Sequence, residues 1–277
     1  MASAAAHRAL AAAAAGEQPQ PPVPHRVVET RRCLAGWVVL FKRAFRALVH
    51  ALPDSVRYLL TLVAFWPTAL ANRFICWAWP HRRQLWNRVS PGVILGAVPL
   101  RRTEMVGLAA REGVRGVVNL CKEWNGHAGW YPSAGLVQLH LPTIDFDVPR
   151  LAHCLAGARF IRDHAVAGAT TYVHCKAGRG RSHAVVLCYL VLYCGMTPDA
   201  AEAAVRRVRP HVSSRAACAP VQHCAALVSA HGSGAALEAA IDAAAAAAAN
   251  VASRPDGSLL APLPTPLPAA APHAKHT

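Results

Sequence analysis

The stretch YVHCKAGRGRS, residues 172–182, decides the fold of this chain. A β-branched and aromatic run ends at Cys175, a loop of small and basic residues follows, and an apolar run of helical length covers residues 184–192. A strand, a glycine-containing loop and a helix in that order direct backbone N–H groups and a helix N-terminus at one point. Because such a point stabilises an anion, the stretch predicts an anion-binding loop within an α/β fold.

The residue types in this loop predict nucleophilic chemistry at phosphorus. A helix N-terminus and nearby cations lower the pKa of a cysteine from its free value of about 8.5, so we expect Cys175 to be a thiolate. Arg181 carries a guanidinium that matches phosphate oxygens bidentately. Ser182 is placed to donate a hydrogen bond to the Cys175 sulfur when a phospho-cysteine breaks down. The predicted reaction is a two-step hydrolysis of a phosphate ester that uses no metal and no other cofactor.

The remaining loop residues are predicted to bind the phosphate oxygens together with Arg181. They are Lys176, Ala177, Gly178, Arg179 and Gly180. We expect the two glycines to allow backbone turns that a Cβ would obstruct. Lys176 and Arg179 add two positive charges to that of Arg181. These charges favour substrates with further negative charge, although surface cations also commonly point into solvent.

The motif His-Cys-x-x-Gly-x-x-Arg-Ser at residues 174–182 resembles the active-site signature of cysteine-dependent protein tyrosine and dual-specificity phosphatases. The fuller stretch is most similar to the mitochondrial-type branch, the phosphatidylglycerophosphate phosphatases, and particularly to its plant and algal members. Further stretches that resemble this branch are residues 86–88, 93–99, 116–120 and 139–145. The resemblance implies a dual-specificity phosphatase-like α/β domain with a central, mostly parallel sheet flanked by helices.

This chemistry also needs a general acid, because the leaving alkoxide takes up a proton. By resemblance this role falls to Asp145, which follows a predicted strand at residues 136–141. Asp147 is the competing candidate, and either carboxylate could instead cap its loop. The resemblance also implies two supporting residues. His174 would help to fix the loop and the thiolate, and Glu123 lies in a loop that is acidic in relatives.

Composition divides the 277 residues into four parts. They are a low-complexity leader or transit peptide (1–25), a basic, tryptophan-rich helical region (26–90), the catalytic domain (91–231) and an Ala/Pro-rich, mostly disordered tail (232–277). The formal net charge of +15 predicts anionic partners, which include membrane surfaces, phosphorylated substrates and nucleic acids. We expect no nucleic-acid partner, because the sequence shows neither an RNA-binding module nor an aromatic platform for single strands.

Two segments of the basic region have the character of membrane-binding helices. Residues 31–52 place Trp and Phe on one side of a helix and most basic residues elsewhere, which is typical of an interfacial helix. Residues 58–79 are more apolar and long enough to span a bilayer, but Pro67 and Asn72-Arg73 interrupt them. Three interpretations of this second segment stay open: interfacial anchoring, a true span, and packing against the catalytic domain.

From residue 91 onward the pattern predicts alternating strands and helices. Strands are predicted at 93–98, 117–120 and 136–141, and helices at 103–111, from 149 to before 168, from 198, and at 216–229. Gly195 is expected to end the active-site helix, and Thr197 to cap the next helix. Residues 235–252 are expected to be partly helical, with disorder after about residue 250.

These observations predict a phosphomonoester hydrolase that acts on phosphatidylglycerophosphate or related anionic phospholipids at a membrane surface. Nine cysteines without a C-x-x-C pair indicate reduced thiols. We expect an organellar membrane, with the mitochondrion preferred and the plastid or cytoplasm as alternatives. The alternative functions are a dual-specificity protein or phosphoinositide phosphatase, and a catalytically weak membrane adaptor, which the presence of Cys175, Arg181 and Asp145 disfavours. The sequence predicts no oligomeric state.

Overall fold

A computed structural model describes Val49 and residues 51–252 of the chain. The predicted leader, nearly all of the helix predicted over residues 31–52, and the residues after 252 lie outside this range.

A five-stranded sheet forms the centre of the fold. Its spatial order is β1 (Trp86–Ser90), β2 (Val93–Gly96), β5 (Thr170–His174), β3 (Val114–Cys121) and β4 (Val137–Thr143). β1 is antiparallel to β2, and all other neighbouring pairs are parallel. The prediction of a mostly parallel sheet is therefore confirmed. Because the carboxyl ends of parallel strands meet at one edge of a sheet, the loops after β2, β3, β4 and β5 converge there.

Helices cover both faces of this sheet. They are α1 (Asp54–Ala78), α2 (Arg102–Glu112), α3 (Leu151–Val166), α4 (Arg181–Cys194), α5 (Pro198–Val208), α6 (Ala219–His231) and α7 (Ala235–Ala252), and a short 3-10 helix covers Pro132–Ala134. β2 and β5 are buried along their whole length, as expected for strands covered on both faces. One apolar core packs α3 and α4 on the sheet, and a second packs α2 on the opposite face.

The boundaries of several elements differ from the sequence prediction. β1 was not predicted as a strand, because this short edge strand lacks an apolar alternation and is only partly buried. The strand predicted over 93–98 ends at Gly96, since the Val98 N–H donates to the Lys176 carbonyl instead. The predicted caps are present: Gly195 has φ +65° after α4, and Thr197 accepts a hydrogen bond from the Ala200 N–H.

The helix expected within residues 235–252 is present beyond residue 231. It is α7, and it packs against α3 and α6, which the sequence analysis did not predict. Leu237 and Ile241 are buried, and they lie one helical turn apart on a single apolar stripe. Glu238 forms ion pairs with Arg159 and Arg162 of α3. The folded body therefore extends into a segment whose alanine-rich composition does not predict packing.

α1 is a continuous helix that passes through Pro67 and Asn72-Arg73. One stripe of it is buried, and this stripe contains Arg57, Thr61, Phe65, Ala69, Asn72 and Cys76. Its other faces expose large apolar side chains, among them Leu59, Val63, Trp66, Leu70, Phe74 and Trp77. Of the helices in the described part of the chain, α1 is the one that is long and apolar enough to cross a membrane.

Candidate active site

Cys175 lies at the carboxyl edge of the sheet, directly after β5. Its side chain is buried, and the loop that follows leads into α4 at Arg181. Gly178 has φ +65°, and a Cβ there would lie 2.3 Å from the Gly96 carbonyl oxygen, so the loop requires glycine at this position. Gly180 does not meet the same expectation. Its φ of −122° suits any residue, and a Cβ would meet only the end of the Arg215 side chain.

The surroundings of Cys175 favour its thiolate. Burial raises the pKa of this thiol, but the Arg181 charge and hydrogen bonds from Ser182 and the Arg179 backbone lower it more, so that the pKa lies below its usual value. The Ser182 hydroxyl donates to Cys175 Sγ over 3.3 Å. The structure thus brings Cys175, Arg181 and Ser182 together, and the arrangement suits a nucleophilic sulfur.

Arg181 is buried and held in one orientation. Its two terminal nitrogens donate to the Glu123 carboxylate over 2.9 and 2.8 Å, and one of them also donates to the Thr143 carbonyl over 2.8 Å. An ion pair of 2.9 Å joins Arg181 to Asp145. Burial alone would lower the pKa of Arg181, but Asp145, Cys121 and Glu123 raise it well above its usual value. The guanidinium therefore stays charged and preoriented beside the sulfur.

Glu123 contacts Arg181 directly, which its sequence context does not predict. Its side chain is completely buried, and both carboxylate oxygens accept from Arg181. This paired geometry satisfies a buried charge that would otherwise be costly. Glu123 follows β3, so its position at the carboxyl edge depends on the sheet order, which a local motif does not reveal.

The two candidate acids contact different partners. Asp145 follows β4, and its carboxylate lies 2.9 Å from Arg181 and 2.5 Å from the Lys176 ammonium. Asp147 instead forms an ion pair with Arg57 of α1. Burial raises the pKa of Asp145, but Arg181 and Lys176 lower it more, so the carboxyl pKa lies below its usual range. Asp145 is therefore ionised when it contacts both cations.

Lys176 and His174, which flank the nucleophile, are both buried. Lys176 contacts Asp145, so its charge does not point into solvent. His174 lies beside the rings of Trp124 and Tyr172, with ring centroids 5.7 Å away in each case. Burial is the largest cause that lowers the pKa of His174 to about 3, and the imidazole is neutral at physiological pH.

Sequence reasoning missed Arg209, which supports the loop from the side opposite Glu123. This buried guanidinium donates to the carbonyls of Gly178 and Ala177 over 2.8 and 3.1 Å. It also donates to the Asn87 side chain over 2.7 Å and to the Gln84 carbonyl over 3.1 Å. Arg209 thus joins the loop at residues 176–180 to the segment that enters β1, and no local pattern around it predicts this long-range contact.

Comparisons with known proteins find a matching family model, related sequences and a similar solved structure. The family model described as "PTP-SAK: Swiss Army Knife protein, DSP-PTPase phosphatase domain" matches residues 83–235. Phosphatidylglycerophosphate phosphatase PTPMT2 of Arabidopsis thaliana is 36% identical over 153 residues, which cover 54% of this chain and 66%, just under two thirds, of that relative. Phosphatidylglycerophosphatase and protein-tyrosine phosphatase 1 of Mus musculus is 36% identical over 164 residues, which cover 56% of this chain and 84% of that relative. Among solved structures, that of PTPMT1 in complex with PI(5)P is 29% identical with a TM-score of 0.48, and the match covers 58% of this chain and 99% of that chain.

Proposed function

The chain belongs to the DSP-PTPase phosphatase family and is a cysteine-dependent phosphatase, and from this premise we propose that it hydrolyses phosphatidylglycerophosphate to phosphatidylglycerol. The observation that carries the proposal is the buried Cys175 sulfur beside a guanidinium that Glu123 holds in place. The names of the plant and mouse relatives support the lipid substrate.

In the first step, Cys175 Sγ attacks phosphorus as a thiolate. A sulfur–phosphorus bond forms while the bond from phosphorus to the glycerol oxygen breaks. Arg181 and the loop N–H groups bind the phosphate oxygens, whose charge is spread in the transition state. Asp145 donates its proton to the leaving oxygen, so the alcohol departs neutral.

Asp145 can hold this proton only if its ion pairs weaken. The phosphate dianion of the substrate competes for Arg181 and Lys176, the two cations that lower the carboxyl pKa. A nearby negative charge raises the pKa of a carboxyl group, so substrate binding shifts Asp145 toward its protonated form. We assign the acid role to Asp145 because it contacts the cations of the loop, whereas Asp147 is engaged by α1.

In the second step, water attacks the phospho-cysteine. Asp145, now a carboxylate, takes a proton from the water as the oxygen–phosphorus bond forms. Ser182 donates a hydrogen bond to Cys175 Sγ while the sulfur–phosphorus bond breaks, since its hydroxyl already lies 3.3 Å from the sulfur. Inorganic phosphate leaves, and the thiolate is restored.

We further propose that α1 lies on a membrane surface rather than crossing the bilayer. Its inner stripe packs on the catalytic domain, where Arg57 pairs with Asp147 and Arg73 pairs with Glu104. A helix with these charged contacts is not free to insert across the hydrocarbon core. Its outer apolar side chains and its tryptophans have the composition of an interfacial helix.

A vesicle-binding measurement tests this membrane proposal. Val63 on α1 and Val166 on α3 are both highly exposed, at 73% and 82%. We expect Val63→Glu to weaken partitioning onto phospholipid vesicles by roughly tenfold, because it places a charge on the bound face. The matched control Val166→Glu should partition like the wild-type protein. Equal partitioning of all three proteins would contradict the proposal.

Protein tyrosine phosphatase activity is the second candidate function, because the name of the mouse relative includes it. The decisive assay offers the full-length protein and its Cys175→Ser variant phosphatidylglycerophosphate, phosphoinositides and phosphotyrosine peptides. We expect the highest kcat/KM with phosphatidylglycerophosphate and no turnover by the variant. A clear preference for peptides would overturn the lipid assignment.

The mitochondrion is the compartment that we propose, because the sequence resembles the mitochondrial-type branch of the family. We also propose that the catalytic domain extends from β1 through α7, since α7 packs on α3 and α6. Fluorescent fusions with and without residues 1–30 test the targeting. A reticular mitochondrial signal that disappears on truncation is expected, and plastid or cytosolic fluorescence of the full-length fusion would contradict the proposal.

A further inference from the structure

A cluster of basic groups lies at the rim of the phosphate loop, on the side of Arg209. Arg179 belongs to the loop itself, and its Nε donates to the His211 carbonyl over 2.8 Å. Arg83 directly precedes Gln84, whose carbonyl accepts from Arg209. Because Arg209 also donates to the loop carbonyls, it holds Arg83 beside the loop. We call Arg83, Arg179 and His211 the rim cluster.

The two guanidinium groups of the rim cluster carry positive charge without a matching carboxylate, whereas burial and the nearby arginines lower the pKa of His211 to about 3, so that its imidazole is neutral. In residues 51–252, no Asp or Glu forms an ion pair with Arg83, Arg179 or Arg209. Burial and the nearby charge of Arg83 lower the pKa of Arg179. Arg83 Nε and both ring nitrogens of His211 are buried and have no hydrogen-bond partner among the described residues.

An anion would stabilise this arrangement. Two half-buried guanidinium groups of like charge repel each other, and buried polar atoms without partners cost free energy. On the other side of the loop, Glu123 and Asp145 relieve the same problem for Arg181. A phosphate oxygen would relieve it here, since guanidinium groups bind phosphate through charge-assisted hydrogen bonds.

We propose that the rim cluster binds a second phosphate of the same substrate molecule, the phosphodiester that joins the two glycerol units of phosphatidylglycerophosphate. This inference rests on the proposed function. The two phosphates of that headgroup are separated by one glycerol unit, and Arg179 of the rim cluster lies in the same short loop that follows the nucleophile. Cys175 would act on the terminal monoester while Arg83 and Arg179 bind the diester. The cluster thereby selects lipids with two phosphates over compounds with one.

The test compares two neighbouring arginines on two soluble substrates. Arg83 is half-buried in the cluster, whereas Arg82 is exposed and carries the same charge. The full-length protein and its Arg83→Gln, Arg83→Lys and Arg82→Gln variants are assayed with p-nitrophenyl phosphate and with glycerophosphoglycerophosphate, the deacylated headgroup. Both substrates are monomeric, so neighbouring lipid headgroups do not contribute. A parallel assay with phosphatidylglycerophosphate in anionic vesicles includes those headgroups.

We expect Arg83→Gln to lower kcat/KM for glycerophosphoglycerophosphate by about tenfold, mainly through KM, because one charge-assisted contact is lost. Its activity on p-nitrophenyl phosphate should stay within about twofold of wild type, and Arg83→Lys should recover part of the loss. Arg82→Gln should resemble wild type on both substrates.

Three results would overturn the inference. The first is an equal effect of Arg83→Gln on both substrates, which would indicate a structural role. The second is an equal effect of Arg82→Gln and Arg83→Gln, which would indicate general surface charge. The third is a loss that occurs only with lipid in anionic vesicles, which would assign the anion to neighbouring headgroups. If wild-type protein hydrolyses neither phosphatidylglycerophosphate nor its headgroup faster than p-nitrophenyl phosphate, the proposed function fails as well.

Discussion

Two buried arginines, Arg181 and Arg209, lie on opposite sides of the loop at residues 176–180, and they contact different chemical groups. Arg181 faces the carboxylates of Glu123 and Asp145, whereas Arg209 donates to backbone carbonyls and to Asn87. Burial lowers the pKa of both groups, but the carboxylates raise that of Arg181 well above its usual value, while that of Arg209 falls to about 10. Burial of an arginine therefore does not by itself indicate that the residue is catalytic. A carboxylate partner, which a substrate phosphate can replace at the guanidinium, is the more informative sign of a catalytic role.

The largest expected effect on activity comes from replacing Cys175, whose sulfur lies near both arginine environments. Cys175→Ser should lower kcat by at least about 10⁴-fold, because a serine hydroxyl at this site is not ionised and loses the nucleophile. Steady-state hydrolysis of p-nitrophenyl phosphate measures this loss. Cys218→Ser, at a half-buried free thiol outside the loop, is the matched control and should keep full activity. Comparable loss in both variants would contradict the assignment.

The next largest effect on activity distinguishes Asp145 from Asp147, the two candidates for the general acid. Asp145→Asn should lower kcat by about 10²-fold or more on alkyl phosphates, whose leaving groups need a proton, and less on p-nitrophenyl phosphate. Asp147→Asn should stay within about tenfold of wild type, because Asp147 is paired with Arg57. The reverse ranking of the two variants would transfer the acid role to Asp147.

The pH profile tests the same assignment independently. The thiolate of Cys175 forms above its pKa, which lies below the usual cysteine value, so activity should rise through that pKa as pH increases. Activity should then fall once Asp145 in the complex loses its proton, which gives a bell-shaped curve with limbs of tenfold per pH unit. Asp145→Asn should abolish the falling limb. A wild-type profile that only rises would exclude an essential acid.

Smaller effects on stability and on kcat/KM distinguish the surroundings of Arg209 from those of Arg181. Arg209→Met should destabilise the fold by about 3 kcal/mol, because the buried Gly178 carbonyl and the part-buried carbonyls of Ala177 and Gln84 lose their donor. Glu123→Gln keeps an acceptor for Arg181, so it should cost less stability but lower kcat/KM by roughly tenfold through a less well fixed guanidinium. Urea unfolding and p-nitrophenyl phosphate kinetics measure the two quantities. If Glu123→Gln were the less stable protein, the proposed division would be wrong.

Local sequence was sufficient to predict the order of strand, loop and helix around Cys175, because the strand that ends at His174, the turn at Gly178 and the helix that begins at Arg181 are consecutive in the chain. The contacts of Glu123 and Arg209 with the loop could not be predicted in this way. Both depend on the order of strands and on elements far apart in sequence. The same holds for α7, whose packing depends on two apolar residues within an alanine-rich stretch.

The apolar segment at residues 58–79 was predicted in part. Composition predicted an apolar helix near residues 58–79, but only the structure shows which stripe of α1 is buried. Sequence alone also left two candidate acids, since Asp145 and Asp147 lie two residues apart. The structure distinguishes their surroundings through contacts with Lys176 and Arg57, which come from different elements.

The ion pairs of Asp145 with Arg181 and Lys176 also bear on product inhibition. In the proposed mechanism this carboxylate competes with inorganic phosphate for Arg181 and Lys176, and it pairs with them again when the product departs. This competition would favour release of the product and would lessen the inhibition of turnover by accumulated phosphate. We expect Asp145→Asn to bind phosphate more tightly, with an inhibition constant about tenfold lower than wild type. An unchanged constant would show that the two anions do not exchange.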